Sequence, residues 1–254
     1  MGTRGARNGT GSTQVTFRDW LVGTVVSTTM QTPTAKSIVL DVPGWEGSTA
    51  GQHVDVRLTA EDGYQAVRAY SLASTGPSDR VELAVDLIED GEVSPYLVGE
   101  LREGDQLELR GPLGRWFVWK PGDTQPVQLV AGGSGVVPLL AMARAHAASA
   151  SEAKFRLLYS VRGPAEVFYA DELASLAGPN FEVTFVYTRE TPPGWPHPAG
   201  RVSRDILGSA TIPAAENPAV FVCGPTGFVE SVADWLVDLG HNALAVKTER
   251  FGGN

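Results

Sequence analysis

Three glycines in four positions, Gly132, Gly133 and Gly135, separate the apolar run Val127 to Ala131 from an apolar helical pattern that follows Pro138. A strand turning through glycines into a helix N-terminus is a mould for a diphosphate. Backbone without Cβ atoms can approach the ligand, and unpaired N–H groups and the helix dipole face the anion. Ser134 and Val136 belong to the same turn. The full G-x-G-x-x-G spacing is absent, so this turn alone fits either a nucleotide site or a ligand-free α/β turn. A second constellation is Arg68-Ala69-Tyr70-Ser71-Leu72-Ala73-Ser74. Strand alternation puts Arg68, Tyr70 and Leu72 on one face and Ser71 on the other, holding a cation, an aromatic ring and a hydroxyl at fixed spacing. At Gly91-Glu92-Val93-Ser94-Pro95, Ser94 is the expected N-cap and Pro95 the first helical residue, giving another anion-facing helix start. Taken singly, these segments also read as an ordinary half-buried strand and a plain cap.

Further candidates sit at strand ends. Ser160 and Arg162 end one apolar run and Arg189 ends the next, where dinucleotide folds read the adenosine ribose. An acidic residue there selects a free 2′-hydroxyl and an arginine accommodates a 2′-phosphate. Arg162 equally fits a solvated loop. Cys223 ends the run Ala219 to Val222, and Gly224-Pro225 turns it out of the sheet. A lone buried cysteine is ordinarily a small hydrophobe. His53, His146, His197 and His241 are scattered without metal-ligand spacing, so no metal site is expected. No Gly-x-Ser-x-Gly or Ser/His/Asp arrangement is present. Glu82, Asp86, Glu89 and Asp90 read as a solvated acidic face, and Arg102, Arg110 and Arg115 as a possible basic docking edge.

These residues need a scaffold of two kinds. From Trp20 to Trp119, short runs of β-formers (21–28, 37–42, 53–58, 67–73, 81–88, 106–110 and 115–119) are punctuated by Pro43-Gly44, Asp62-Gly63, Gly76-Pro77, Asp90-Gly91 and Gly104-Asp105, with one helix at 95–101. Six or seven strands at this spacing predict a small all-β antiparallel barrel. After Pro121-Gly122, strand-like runs at 127–131, 155–161, 181–187, 219–223 and 244–247 alternate with helical patterns near 139–148, 168–176, 202–207 and 226–239. That alternation predicts an α/β doubly wound parallel sheet. The expected organisation is a flexible leader at 1–16, a barrel domain at 17–121 and an α/β domain at 122–254.

Composition limits the partners. The chain has 254 residues, 43% hydrophobic, enough for two domains with their own cores. A net charge of −9 argues against nucleic acid or an anionic membrane as the main partner. Cys223 is the single cysteine, so neither an internal disulfide nor a four-cysteine iron–sulfur cluster can form. No run of about twenty apolar residues offers a membrane span. The N-terminal residues lack a signal-peptide pattern, and a cytoplasmic location is expected.

In order, R-x-Y-S-x-x-S (68–74), G-x-x-S (91–94), Gly111-Pro112-Leu113-Gly114-Arg115-Trp116-Phe117, G-G-S-G-V-V-P (132–138) and C-G-P (223–225) resemble the ferredoxin–NADP⁺ reductase-like flavoproteins. The resemblance covers about residues 20–251 and is closest to the compact bacterial two-domain form. It implies an FAD-binding barrel followed by an NAD(P)-binding domain, the two rings meeting in the cleft between them. Arg68 would pair with flavin phosphate, Tyr70 lie along the isoalloxazine, and Ser71 hydrogen-bond near flavin N5. Gly91, Val93 and Ser94 would hold the flavin phosphate. These two phosphate-directed elements favour FAD over FMN, although Asp86 stands where many relatives carry a basic residue. Gly132, Gly133, Ser134, Gly135 and Val136 would receive the coenzyme diphosphate. Ser160, Arg162 and Arg189 would take the ribose end, favouring NADPH with NADH as the alternative. Cys223, Gly224 and Pro225 would border the nicotinamide. Glu249 and Phe251 resemble the family's acid-x-aromatic terminus, although Gly252-Gly253-Asn254 follow.

The resemblance thus implies an FAD-dependent NAD(P)H oxidoreductase delivering electrons to a ferredoxin-like or other redox protein. Two alternatives stay open: a flavin or quinone reductase with a small acceptor, and a non-catalytic flavin- or nucleotide-binding module.

Overall fold

The computed structural model describes residues 19–251. The leader expected at 1–16 lies outside them. Six antiparallel strands come first: β1 Leu21–Met30, β2 Ala35–Asp41, β3 His53–Thr59, β4 Gln65–Ser71, β5 Arg80–Asp86 and β6 Gln106–Leu113. Their order is β4-β3-β6-β1-β2-β5, and a bridge between Leu72 and Leu83 brings the two outer strands together. Alternate residues fill the interior, among them Ile38, Leu40, Val54, Val56, Leu83 and Leu109. A short π-helical turn, Tyr96–Glu100, plugs the barrel with Leu97 and Val98.

Five parallel strands follow: β7 Val127–Gly132, β8 Phe155–Val161, β9 Phe181–Tyr187, β10 Ala219–Pro225 and β11 Val246–Phe251, in the order β11-β10-β7-β8-β9. Helices α1 Val136–Ala147 and α2 Ala170–Leu176 pack on one face, and α3 Arg204–Ala210 and α4 Thr226–Asp238 on the other. Strand order reverses between β7 and β10, and the crevice at such a switch point is where open α/β sheets bind ligands. Among the described residues no helix is long and apolar enough to cross a membrane.

Four local expectations are corrected. Residues 115–119 form no strand: Phe117 and Trp119 are apolar plugs in the core of the second sheet, edge-on to Phe221 and Phe155. Ser94 does not cap the helical turn, because its buried hydroxyl accepts the Ile88 N–H (3.0 Å). Glu82 and Asp86 are not a solvated face. Glu82 is taken up between the two sheets, and Asp86 accepts the Thr34 hydroxyl at 3.0 Å. The edge expected at Arg102, Arg110 and Arg115 is not a row of unpaired cations: Arg110 pairs with Asp55 (2.6 Å) and stacks on Trp20, and the exposed Arg102 folds onto the Gly99 and Leu101 carbonyls.

Candidate functional site

Four side chains from four strands meet between the two sheets. Antiparallel register places Ser71 of β4 opposite His53 of β3, and parallel register places Cys223 of β10 beside Glu249 of β11. His53 Nδ1 lies 3.8 Å from Glu249 Oε1, joining the two pairs. Burial pushes the Glu249 carboxyl up to about 7. Burial also lowers His53 below its ordinary value, against the charge of Asp55. Near neutral pH the contact therefore joins a mainly neutral imidazole to a carboxyl in mid-titration, and Glu249 can hold or release a proton there. The Cys223 thiol is raised by burial and then by the charge of Glu249, so it stays protonated and is no nucleophile. Pro225 and Phe251 are register partners on the outer side, with Phe251 37% exposed. His53 carries no local signal in the sequence; only the strand register and the approach of β11 bring it into the site.

Arg68 and the turn 91–94 come together at the seam where β4 and β5 close the barrel. Arg68 is ion-paired with Glu92 and donates to the Val67 carbonyl at 2.8 Å. The Tyr64 hydroxyl donates to Glu92 at 2.7 Å. Val93 and Ser94 are buried beneath the turn. A Cβ on Gly91 would come within 3.0 Å of the Ile88 carbonyl oxygen and Ser94 Oγ, so the turn folds too tightly for a side chain at this position. Tyr70 is half-buried against the barrel core, and burial pushes its phenol up to about 12. A guanidinium, a tight glycine turn and a flanking aromatic along one seam fit a flavin with its phosphates.

The glycine turn fits a second phosphate group. Gly133 takes φ +55°, and nothing lies within 4 Å of where its Cβ would be. Gly135 faces inward, where a Cβ would fall 2.2 Å from the Cys223 carbonyl oxygen. Ser134 and Val136 complete the turn into α1, and Gly224 packs against Gly132. Beside it opens a cleft of about 640 Å³ lined by Ser160, Arg162, Arg189, Arg201, Phe228 and Trp235, with Pro225 at one end. The Arg162 carbonyl accepts the N–H groups of Arg189 (2.9 Å) and Glu190 (3.0 Å), which holds two of the arginine loops together. Arg201 was not legible in the sequence, because it reaches the cleft from beyond the irregular loop 191–198. Three guanidinium groups, hydroxyls and a tryptophan suit a phosphorylated nucleoside.

Comparisons with known proteins agree with both halves. Residues 25–118 match the family model described as oxidoreductase FAD-binding domain, and residues 129–234 the one described as oxidoreductase NAD-binding domain. "NADH oxidoreductase HCR" of Escherichia coli (strain K12) is 33% identical over 215 residues, 84% of this chain and 62% of that protein. The chain spans about half to three fifths of the length of the first curated relatives it matches. The Amycolatopsis cytochrome P450 reductase GcoB superposes with a TM-score of 0.80 at 26% identity, covering 92% of this chain and 70% of that one. A ferredoxin NADP⁺ reductase from Neisseria gonorrhoeae with bound FAD and NADP shares the fold, with a TM-score of 0.73 at 21% identity over 91% and 98% of the two chains.

Proposed function

The chain belongs to the ferredoxin–NADP⁺ reductase-like family of FAD- and NAD-binding oxidoreductases, and from that premise we propose that it is a flavin-dependent NAD(P)H oxidoreductase feeding a separate redox protein. Residues 17–121 form the flavin domain and 122–254 the nucleotide domain in this reading. The observation that carries it is the strand register that sets Ser71, His53, Cys223 and Glu249 together between the two domains. FAD, when bound, supplies the exchange between a two-electron hydride donor and a one-electron acceptor.

The chain's own residues bind, orient and move a proton. Arg68 and the backbone of Gly91 to Ser94 hold the flavin phosphates, and Tyr70 supports the ring. Ser71 hydrogen-bonds at the reacting edge. Gly132 to Val136 hold the coenzyme diphosphate, while the neutral thiol of Cys223, with Gly224 and Pro225, shapes the nicotinamide pocket. Glu249 holds the proton that accompanies electron transfer, and Phe251 shields the outer side. Ser160, Arg162, Arg189 and Arg201 take the adenosine ribose and favour the 2′-phosphate of NADPH. With one cysteine these 254 residues hold no iron–sulfur cluster of the four-cysteine kind, so their electrons pass to a redox centre outside them. The Amycolatopsis neighbour named as a cytochrome P450 reductase supports a protein acceptor.

Turnover of NADPH by the FAD-loaded chain with a one-electron protein acceptor, against free flavin or a quinone, tests this reading. Faster turnover with the protein acceptor is expected, and a preference for the small acceptors would replace it with a two-electron reductase. Arg162→Ala and Arg201→Ala should each raise KM for NADPH about tenfold, as for a lost charged hydrogen bond, and leave KM for NADH in place. Equal effects on both coenzymes would remove the 2′-phosphate assignment.

A further inference from the structure

The domains also meet across a second polar network, centred on Arg144 in α1. Its Nη1 donates to the Ala73 carbonyl (2.9 Å) and to Glu82 Oε2 (2.7 Å). Its Nε and Nη2 donate to the two carboxylate oxygens of Glu172, at 2.6 and 2.7 Å. The Tyr169 hydroxyl donates to Glu82 Oε1 (2.7 Å), its ring centroid lies 5.0 Å from the guanidinium carbon, and its N–H donates to Gln31 Oε1 (3.2 Å). Tyr169 does this at φ +54°, a left-handed conformation that a bulky side chain keeps only where its surroundings over-determine it. Burial alone would lower the Arg144 pKa, and Glu172 and Glu82 more than reverse this, so the guanidinium stays charged.

Both ends of the network touch the proposed site. Glu82 is fastened behind the motif strand: its N–H donates to Ser74 Oγ at 2.9 Å, and its carbonyl accepts the Ala73 N–H at 2.8 Å. Arg144 lies eight residues along the helix from Val136, about 12 Å at 1.5 Å per residue. One helix therefore runs from the diphosphate turn to a guanidinium that is held by Glu172 of α2 and reaches across to Ala73, in the segment that follows Ser71, and to Glu82 of β5.

We propose that Arg144, supported by Tyr169, is a positioning residue that locks the coenzyme-binding helix to the flavin-binding strand and so sets the approach of nicotinamide to flavin. This deepens the reading given above and rests on it. A planar guanidinium fork is required, because a lysine offers one point charge and cannot reach both carboxylates and the carbonyl together.

The test uses the full chain with FAD, as Arg144→Lys and Tyr169→Phe, the latter removing a single hydroxyl. Flavin content and NADP⁺ affinity should stay within about twofold of the parent while the limiting rate of flavin reduction falls ten- to a hundredfold, as about 1 Å of misplacement would give. The long-wavelength absorbance that reports nicotinamide stacked on flavin should weaken with it. An unchanged limiting rate and band in both variants would overturn the proposal. Calorimetry of the flavin-free chain separates this from the function itself. One shared unfolding transition in the parent and two in Arg144→Lys are expected, and an unchanged single transition would refute the lock even if the chain were no reductase.

Discussion

Arg68 and Glu249 illustrate how much chemistry a residue's surroundings add to its type. Arg68 stands exposed at the barrel seam beside the tight turn at Gly91, with Glu92 as its present partner. Arg68→Ala should weaken flavin binding about ten- to a hundredfold, the loss of a charged hydrogen bond, and lower the flavin content of the purified protein. Unchanged stoichiometry would remove its phosphate role. Glu249 is held near 7 by burial, against about 4.3 for an unfolded chain. The sign follows from that rise: its bound proton stabilises the fold fully below about pH 4.3, and this contribution is lost as pH climbs through 7, up to about 4 kcal/mol. Glu249→Gln carries no such dependence, so the variant should gain stability relative to the parent between pH 5 and pH 8 in denaturant unfolding. Parallel profiles would show that Glu249 ionises freely. Motif residues such as Tyr70, Ser71 and Cys223 were legible because their spacing is local. His53 and Arg201 were not, because each enters its site only through pairing of distant strands or folding of a long loop.

At the level of elements, the strands were legible wherever apolar residues alternate against one core, as at Val54 and Val56 in β3 or Val81, Leu83 and Val85 in β5. The same alternation misled at 115–119, where Phe117 and Trp119 serve the neighbouring sheet as irregular chain. Ser94 has the type and place of a cap, but a buried hydroxyl goes to whichever backbone group lacks a partner, here the Ile88 N–H. In the glycine turn the two sides have different duties. Gly133 leaves the outer side bare for a ligand, and Gly135 lets α1 start against β10. Gly135→Ala would force a Cβ into the Cys223 carbonyl and should destabilise the nucleotide domain by about 1–3 kcal/mol, read as a lower unfolding temperature. An unchanged temperature would mean that β10 and α1 separate freely.

Across the whole molecule, the two-domain order was legible from the change of rhythm after Pro121-Gly122, and the reversal of strand order placed the coenzyme crevice. The way the domains are held together was not. Glu82 lies 62 residues from Arg144 and 87 from Tyr169, with no periodicity linking them. Only the folded chain shows that an acidic residue of the barrel anchors the nucleotide domain. The domains form one reductase if hydride crosses between them. The direct measurement is an anaerobic titration of the FAD-loaded chain, followed in the visible flavin band, with NADPH and NADH in parallel. Bleaching by about one equivalent of coenzyme, at lower concentration for NADPH than for NADH, is the expected result. A flavin that stays oxidised and yellow with either coenzyme would contradict it.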